Sequence, residues 1–291
     1  MNTMRTKTAK QNAITYGIVI IGFLIMQIIS ATGHMSSSLS GLLIPFCYYV
    51  ILAISLNLVV GILGELSLGH AGFMCVGAFS SVFFTKCMEN VITNSLVRFI
   101  IALIIGALVA AVFGILIGIP VLRLKGDYLA IVTLAFGEII KELINCLIIG
   151  HDENGLHIIF NATGAKTVTD LGLTETGKVL IKGAQGATGT DTIASFTAGF
   201  ILIMVTLVVV LNLARSRSGR AIMALRDNRI AAESVGINVT KYKLMAFVTS
   251  AALAGGAGAL YGLNFSNLVS SKFDFNTSIL ILVFVVLGGL G

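Results

Sequence analysis

The sequence predicts an all-α polytopic membrane protein with about eight transmembrane helices. Of its 291 residues, 56% are apolar and only 11% are charged, and the mean hydropathy is +0.99. Soluble domains carry about 25% charged residues, so this chain lacks the charges that would cover a globule in water. Eight apolar stretches approach the roughly 20 residues that a helix needs to span a bilayer. They are residues 14–30, 42–63, 66–85, 99–119, 128–149, 195–214, 244–265 and 277–291.

The first stretch has features of a signal peptide, because Arg5, Lys7 and Lys10 precede its apolar core. The core is long, however, and the residues after Ser30 lack a small-x-small cleavage site. We therefore expect an uncleaved first span.

The charge distribution predicts a cytoplasmic N-terminus. With eight crossings, residues 1–13, 120–127 and 215–243 lie inside and carry 12 of the 19 Lys and Arg residues. The outer loop, about residues 150–194, has five acidic residues against three lysines. This asymmetry follows the positive-inside rule, so the net charge of +6 indicates topology and not a nucleic-acid partner.

A broken helix is predicted near Gly61 to Gly72. This stretch places four glycines, Glu65 and His70 between two apolar runs and is too short for a solvated loop. Irregular backbone is tolerated at membrane depth only where it packs in protein or lines a wet cavity. Two interpretations stay open: packing of a sharp turn, or half-helix ends that meet the charged groups of a solute.

Ionisable residues also lie within the fifth stretch, at Glu138, Lys141 and Glu142. Charges inside a span are costly and are candidate functional groups by default. The alternative is that Lys141 pairs with Glu138 on one helix face and neutralises it.

Small residues recur every fourth position in two stretches, and we interpret them as close helix packing. They are Ala102, Gly106, Ala110, Gly114 and Gly118, and then Gly258 and Gly262.

Several other patterns predict no chemistry. Residues 172–178 match G-x-x-x-x-G-K, but Val179 replaces the Ser or Thr that a nucleotide-binding loop needs for magnesium. His151 and His157 with Asp152 and Glu153 lack a known metal-ligand spacing, and the four cysteines form no C-x-x-C pair. We expect no cofactor, no metal site and no catalytic residue.

The segment from Arg215 to Ile237 predicts two short helices on the cytoplasmic side. The first starts near Gly219, a cap follows at Asp227 or Asn228, and Gly236 stops the second. With continuous helical phase, an apolar face forms from Ala221, Leu225, Ala232 and Val235. Arginines surround this face, which suits docking on another protein, although a loop that merely sets orientation would also be basic.

Three blocks of sequence resemble the permease subunits of ABC importers for branched-chain amino acids, in particular the M-type subunit. The blocks are residues 55–73, with Ser-Leu-Gly-His at 67–70, residues 126–140, and residues 219–236. The tail at 286–291 also matches. The resemblance implies an ABC importer permease architecture in a single transmembrane domain over residues 1–291, in a prokaryotic inner membrane.

Roles for particular residues also follow from the resemblance. The two short cytoplasmic helices would fit a groove on the ATPase, through a set of matching motif residues. These are Gly219, Arg220, Leu225, Arg226, Asp227, Ala232, Glu233 and Gly236. The translocation pathway would include Glu65, Ser67, Gly69, His70 and Glu138. The implied partners are a paralogous permease subunit, two cytoplasmic ATPase subunits, an external solute-binding protein and the lipid bilayer.

The chain departs from the family pattern at four places. Glu65 stands where relatives usually have Gln, and the glycine-rich outer motif is represented only by residues 162–165. The outer loop is longer and richer in Gly and Thr than expected. The sequence also stops inside its last apolar run, where relatives continue, so we expect a C-terminal truncation.

Two rival functions remain at this point. An ABC permease for a sugar, a nucleoside or urea would share these motifs. An ion-coupled secondary transporter would use Glu138 and Glu65 as proton or sodium sites, and would be expected to show an inverted repeat, which the sequence lacks.

Overall fold

Helices form most of the chain in a computed structural model, which describes residues 2–32, 36–122, 124, 127–152, 155–161, 168–172 and 177–289. The long helices are α1 (Asn2–Ala31), α2 (Ser37–Asn57), α3 (His70–Cys87), α4 (Ser95–Val121), α5 (Asp127–Asn145), α6 (Phe196–Arg215), α9 (Val239–Gly262) and α10 (Phe275–Gly288). Two short helices, α7 (Arg217–Asp227) and α8 (Arg229–Ser234), lie between α6 and α9. The predicted helical membrane class is confirmed.

Six segments of the described chain are long and apolar enough to cross a membrane. They are Ala13–Ser30, Ser37–Leu63, Ser95–Val121, Phe196–Arg215, Val239–Gly262 and Ser270–Gly288. The predicted count of eight is therefore not confirmed, because α3 and α5 are not among the six. The helix α5 carries Glu138, Lys141 and Glu142 within its 19 residues, and α3 begins at His70 and has Lys86 in its last turn.

The fifth predicted span is wrong in its last turn. The helix α5 ends at Asn145, and Leu147–Asp152 forms strand β1. This strand pairs antiparallel with β2 (Gly155–Phe160) on one side and with β3 (Lys178–Lys182) on the other. A run of Leu and Ile is compatible with helix or strand, and here the pairing partners decide for strand.

The predicted outer segment, about residues 150–194, is consequently more structured in its described residues than the loop that the sequence predicts. A second, very short sheet joins β4 (Ala187–Thr188) to β5 (Asn267–Leu268), which lies between α9 and α10. Arg98 at the start of α4 adds an ion pair to Asp191, with Nη2 and Oδ2 2.6 Å apart. The outer segment is thus tied to the start of α4 and to the connection between α9 and α10.

Helices α3, α4 and α9 form the centre of the bundle, and glycines set their separation. A methyl group on Gly106 of α4 would lie 2.9 Å from the carbonyl oxygen of Gly77 in α3. One on Gly255 of α9 would lie 2.6 Å from the carbonyl oxygen of Gly106. The interpretation of the small-residue stripe as close helix packing is confirmed, since Ala102 and Ala110 are fully buried in the same seam.

Candidate functional site

The predicted break near Gly61 to Gly72 is confirmed. After α2, residues Leu58–Leu63 form a π-helical turn, and Gly64 follows in the left-handed conformation with φ of 77°. No helix is present between Gly64 and His70, where α3 begins. Residues 58–69 are called the broken segment below.

Gly64 satisfies two requirements at once. Its positive φ is unfavourable for any residue with a side chain, and a methyl group there would lie 2.5 Å from Cγ of Arg226. The break in the helix thus also makes room for a residue from α7.

Arg226 connects α7 to the broken segment. Its Nη1 donates a hydrogen bond to the carbonyl oxygen of Gly61 at 2.6 Å. The π-turn and the following break leave carbonyl groups without their usual helical partners, and a guanidinium is a strong donor to such groups. The sequence separates the two residues by 165 positions.

A buried ion pair makes a second connection. Lys243, in the second turn of α9, donates a hydrogen bond to Oε1 of Glu65, and the exposed side-chain fractions are 7% for the lysine and 17% for the glutamate. The second oxygen, Oε2, is buried and has no hydrogen-bond partner among the described residues. Each charge of a buried ion pair is compensated by the other. Removal of either partner therefore leaves an uncompensated charge in the protein interior.

His70 lies at the start of α3 and makes a hydrogen bond with a buried serine. Its Nε2 is 2.7 Å from Oγ of Ser55, and that hydroxyl donates to the carbonyl oxygen of Leu52 at 2.9 Å. Because a hydroxyl has a single proton, the geometry assigns the Nε2–H tautomer to His70. Ser250 of α9 adds a hydrogen bond to the carbonyl oxygen of Ser55 at 2.5 Å.

The remaining part of the broken segment packs against α5. The Leu68 amide donates to Oγ1 of Thr133 at 3.1 Å, and a methyl group on Gly69 would lie 2.9 Å from the carbonyl carbon of Thr133. The Ser67 hydroxyl is buried without a partner in the described chain. Of the predicted pathway residues, Glu65, Ser67, Gly69 and His70 therefore lie together.

Glu138 does not join this group. It forms an ion pair with Lys141 on α5, and its side chain is 38% exposed. This is the pairing within one helix that the sequence offered as the alternative to a functional charge.

The two short helices form as predicted. Ser216 caps α7 by accepting a hydrogen bond from the Gly219 amide at 3.0 Å. Asn228 separates the helices and caps α8 by accepting from the Ala231 amide at 3.1 Å. The chain leaves α8 through Gly236, whose φ is 86°. Residues 217–236, which contain both helices, are called the α7–α8 pair below.

The predicted common apolar face of the α7–α8 pair is wrong. Leu225 and Ala232 are buried and pack with Val239, whereas Val235 is 76% exposed and Ile230 is 80% exposed. Asn228 has an extended backbone, with φ of −155° and ψ of 104°, so helical phase does not continue from α7 to α8. The exposed apolar residues are Ile230 and Val235.

The charged residues of the pair are mostly exposed. Arg220 donates to the carbonyl oxygen of Arg215 at 3.2 Å. Glu233 pairs with Arg229 at 3.2 Å, and Asp227, 72% exposed, lies 3.6 Å from Arg226. A methyl group on Gly219 would clash with the carbonyl oxygen of Leu213, so the turn from α6 to α7 leaves no room for a side chain there. The α7–α8 pair therefore presents both exposed charges and the exposed apolar side chains of Ile230 and Val235.

Sequence reasoning missed Lys243, Thr133, Ser55 and Ile230. In the sequence, Lys243 contributes only to the positive charge of residues 215–243, which are predicted to be cytoplasmic. The signal available was its position within an apolar helix, where an ionisable group needs a partner.

The motifs that the sequence analysis rejected do not form sites in the described residues. Lys178 begins strand β3 and pairs with Glu89 at 3.1 Å, so no helix follows the G-x-x-x-x-G-K pattern. His157 lies 3.1 Å from Asp152 across the hairpin, and the described residues contain no cluster of three metal-ligating side chains. Residues 153 and 162–165, which include the expected outer motif, lie outside the described residues.

Comparison with known proteins gives a consistent result. The family model described as branched-chain amino acid transport system / permease component matches residues 38–291. The high-affinity branched-chain amino acid transport system permease protein LivM of Salmonella typhimurium is 36% identical over 249 residues, which cover 84% of this chain and 56% of the relative. LivM of Escherichia coli gives the same identity and coverage.

A more distant relative is the probable branched-chain amino acid transport permease protein LivM of Methanocaldococcus jannaschii. It is 23% identical over 283 residues, which cover 87% of this chain and 75% of the relative. The chain spans about half the length of the two bacterial relatives, 56% in each case. No solved structure matches the chain.

Proposed function

This chain belongs to the family of branched-chain amino acid transport permease components, and from that premise we propose that it is the integral-membrane permease subunit of an ATP-driven ABC importer. Its solutes are branched-chain, aliphatic amino acids that an external binding protein delivers. The chain performs no covalent chemistry. ATP is hydrolysed on two separate cytoplasmic ATPase subunits, and a paralogous permease completes the pathway.

The α7–α8 pair is the docking surface for an ATPase in this proposal. Ile230 and Val235 supply apolar contact, and Arg220, Asp227 and Glu233 supply charges on the same two helices. Interfaces of this kind combine a small apolar centre with a polar rim. Leu225 and Ala232 act from inside, because they fix the two helices on the start of α9.

The observation that carries the proposal is the hydrogen bond from Arg226 to the Gly61 carbonyl oxygen. It places the ATPase-docking helices in direct contact with the broken segment, which contains the proposed pathway residues Glu65, Ser67, Gly69 and His70. Movement of the α7–α8 pair is then transmitted to the pathway without an intermediate element. Glu138, which is partly exposed on α5, is the fifth proposed pathway residue.

Alternating access follows from two states of this junction. ATP binding brings the ATPases together and moves the docked helices, and the broken segment moves with them through Arg226, relative to Lys243 of α9. A ligand or partner shifts such an equilibrium only by binding the two states with different affinity. In the proposed orientation the N-terminus and the α7–α8 pair are cytoplasmic, and residues 150–194 face the binding protein.

The proposal is tested by co-purification. The gene's full-length product is co-expressed with neighbouring permease and ATPase subunits, and ATPase recovery is measured for the parent, Ile230→Asp and Val91→Asp. Val91 is a matched control because it is 73% exposed, against 80% for Ile230, but it lies between α3 and α4. We expect Ile230→Asp alone to lose the ATPase.

Two results would contradict the proposal. In the first, the full-length parent recovers no ATPase, and amino acid uptake follows an ion gradient. In the second, Ile230→Asp and Val91→Asp retain the ATPase equally, which would move the docking surface away from the α7–α8 pair.

A further inference from the structure

A cavity of about 460 Å³ lies between α2, α9, α10 and the segment that joins α9 to α10. None of the predicted pathway residues lines it. Its rim includes Asn267 of β5, and β5 pairs with β4 from the outer segment. The cavity therefore opens toward the outer segment, on the opposite side of the bundle from the α7–α8 pair.

Aromatic rings form one wall of the cavity. The ring centroids of Tyr48 and Tyr261 are 5.2 Å apart, and those of Tyr261 and Phe273 are 5.3 Å apart, both in edge-to-face arrangements. Tyr48 and Phe273 are 4% and 2% exposed, so packing fixes the rings. An apolar wall of this kind suits an aliphatic side chain.

Polar groups form the other wall. Lys272, Asn267 and Thr277 line the cavity, and Lys272 is exposed. Lys272 belongs to none of the ion pairs of the described residues. The nearest acid in sequence, Asp274, is instead used as the cap of α10, where it accepts the Thr277 amide at 3.0 Å. The Lys272 ammonium is thus available to a carboxylate from outside the chain.

The floor of the cavity adjoins the broken segment. Met74, which lines the cavity, lies one turn after His70 in α3. Ser278, next to the lining residue Thr277, accepts a hydrogen bond from the Ala71 amide at 3.3 Å. A solute in the cavity would therefore sit between the outer surface and the proposed pathway residues Ser67 and His70.

We propose that this cavity binds one zwitterionic aliphatic amino acid during transit. The solute carboxylate meets Lys272, and its aliphatic side chain lies against Tyr48, Tyr261 and Phe273. Small-ligand sites have volumes of about 300–1,000 Å³ and combine apolar walls with a few polar groups, as this cavity does. The inference rests on the proposed function and names where the solute is held.

The test measures protection of an introduced thiol in the complete, purified transporter without its binding protein. Asn267→Cys places the thiol in the cavity. Ser271→Cys is the matched control, because Ser271 is exposed next to Lys272 but does not line the cavity. The labelling rate with a polar maleimide is measured with leucine, with leucinol, which lacks the carboxylate, and with neither. The parent chain gives the background from its own cysteines.

We expect millimolar leucine to slow the labelling of Asn267→Cys several-fold and to leave Ser271→Cys unchanged. Leucinol should protect about tenfold less well, because one charge-assisted contact is missing. In the double variant Asn267→Cys with Lys272→Gln, leucine should protect the thiol no better than leucinol does.

Each other result overturns the inference. If leucine fails to protect Asn267→Cys in a transporter that takes up leucine, the cavity is not a transit site, while the proposed function stands. Equal protection of both cysteines would indicate a general change of conformation. A complete transporter that takes up no branched-chain amino acid would instead contradict the proposed function itself.

Discussion

Two contact regions of the bundle are held together by different interactions. The first is the seam of α3, α4 and α9, and the second is the junction of the broken segment with α7 and α9. The seam brings backbone close to backbone, because Gly77, Gly106 and Gly255 have no side chain and the alanines between them are small. The junction is held by two polar contacts, Arg226 to Gly61 and Lys243 to Glu65. Close packing resists displacement in all directions, whereas a polar contact breaks when its donor moves by a few ångströms. The seam therefore acts as the frame, and the junction is the part suited to move.

Removing one charge from the buried pair should have the largest effect on this comparison. Lys243→Met leaves the Glu65 carboxylate buried and unpaired, and breaking such a pair costs about 3–5 kcal/mol in the free energy of unfolding. The measurement is thermal unfolding of the purified complex. The double change Glu65→Gln with Lys243→Met should restore stability to near that of the parent, since no charge remains buried. Equal loss in the single and double variants would contradict an ionic junction.

A methyl group in the seam should have the next largest effect. Gly255→Ala would place it 2.6 Å from the Gly106 carbonyl oxygen, and overpacking of this kind costs about 1–3 kcal/mol. Gly256→Ala is the matched control, because there the nearest atom, on Leu202, would be 4.0 Å away. We expect reduced thermal stability for Gly255→Ala alone. If both variants keep the thermal stability of the parent, the helices of the seam are not closely packed and cannot act as the frame.

Loss of the Arg226 contact should affect uptake more than stability. Arg226 is 40% exposed, so Arg226→Gln should reduce the free energy of unfolding by no more than about 1 kcal/mol. The ATPase should still co-purify, because Ile230 and Val235 are unchanged. Uptake should fall at least several-fold, since the docked helices lose their hydrogen bond to the broken segment. Unimpaired uptake would show that this contact does not transmit motion.

Glu138→Gln should have the smallest effect. A partly exposed i,i+3 pair on one helix contributes about 0.2–0.5 kcal/mol, and Glu138 with Lys141 is of this type. We expect uptake to be modulated but not abolished, and to remain independent of an ion gradient. Complete loss of uptake that depended on a proton or sodium gradient would support the secondary-transporter alternative.

The local signals of the sequence predicted both halves of the junction. Four glycines and two ionisable residues indicated the break at Gly61 to Gly72, and the Asn228 cap and Gly236 indicated the α7–α8 pair. A helix break or cap depends on only a few neighbouring residues. Residue type and spacing are therefore enough to predict it from the sequence.

The connections between the halves were not predictable in the same way. Lys243 and Glu65 are 178 positions apart, and hydropathy contains no information on which helices become neighbours. The exposed position of Val235 depends on the extended backbone of Asn228, which resets the helical phase. The strand after Asn145 depends on partners that lie later in the chain. Each of these required tertiary contacts.

The separation of Glu65 from Lys243 also sets an order of events during synthesis. At about 5–20 residues per second, a ribosome needs roughly 10–35 seconds to add the 178 residues between them. During that interval the Glu65 carboxylate has been synthesised but its lysine has not. Helices α3 and α4 are therefore synthesised before the ionic contact can form, and both the seam and the junction are completed only when α9 is added. A nascent chain arrested before Lys243 would consequently display Glu65 as an unpaired, chemically accessible carboxylate.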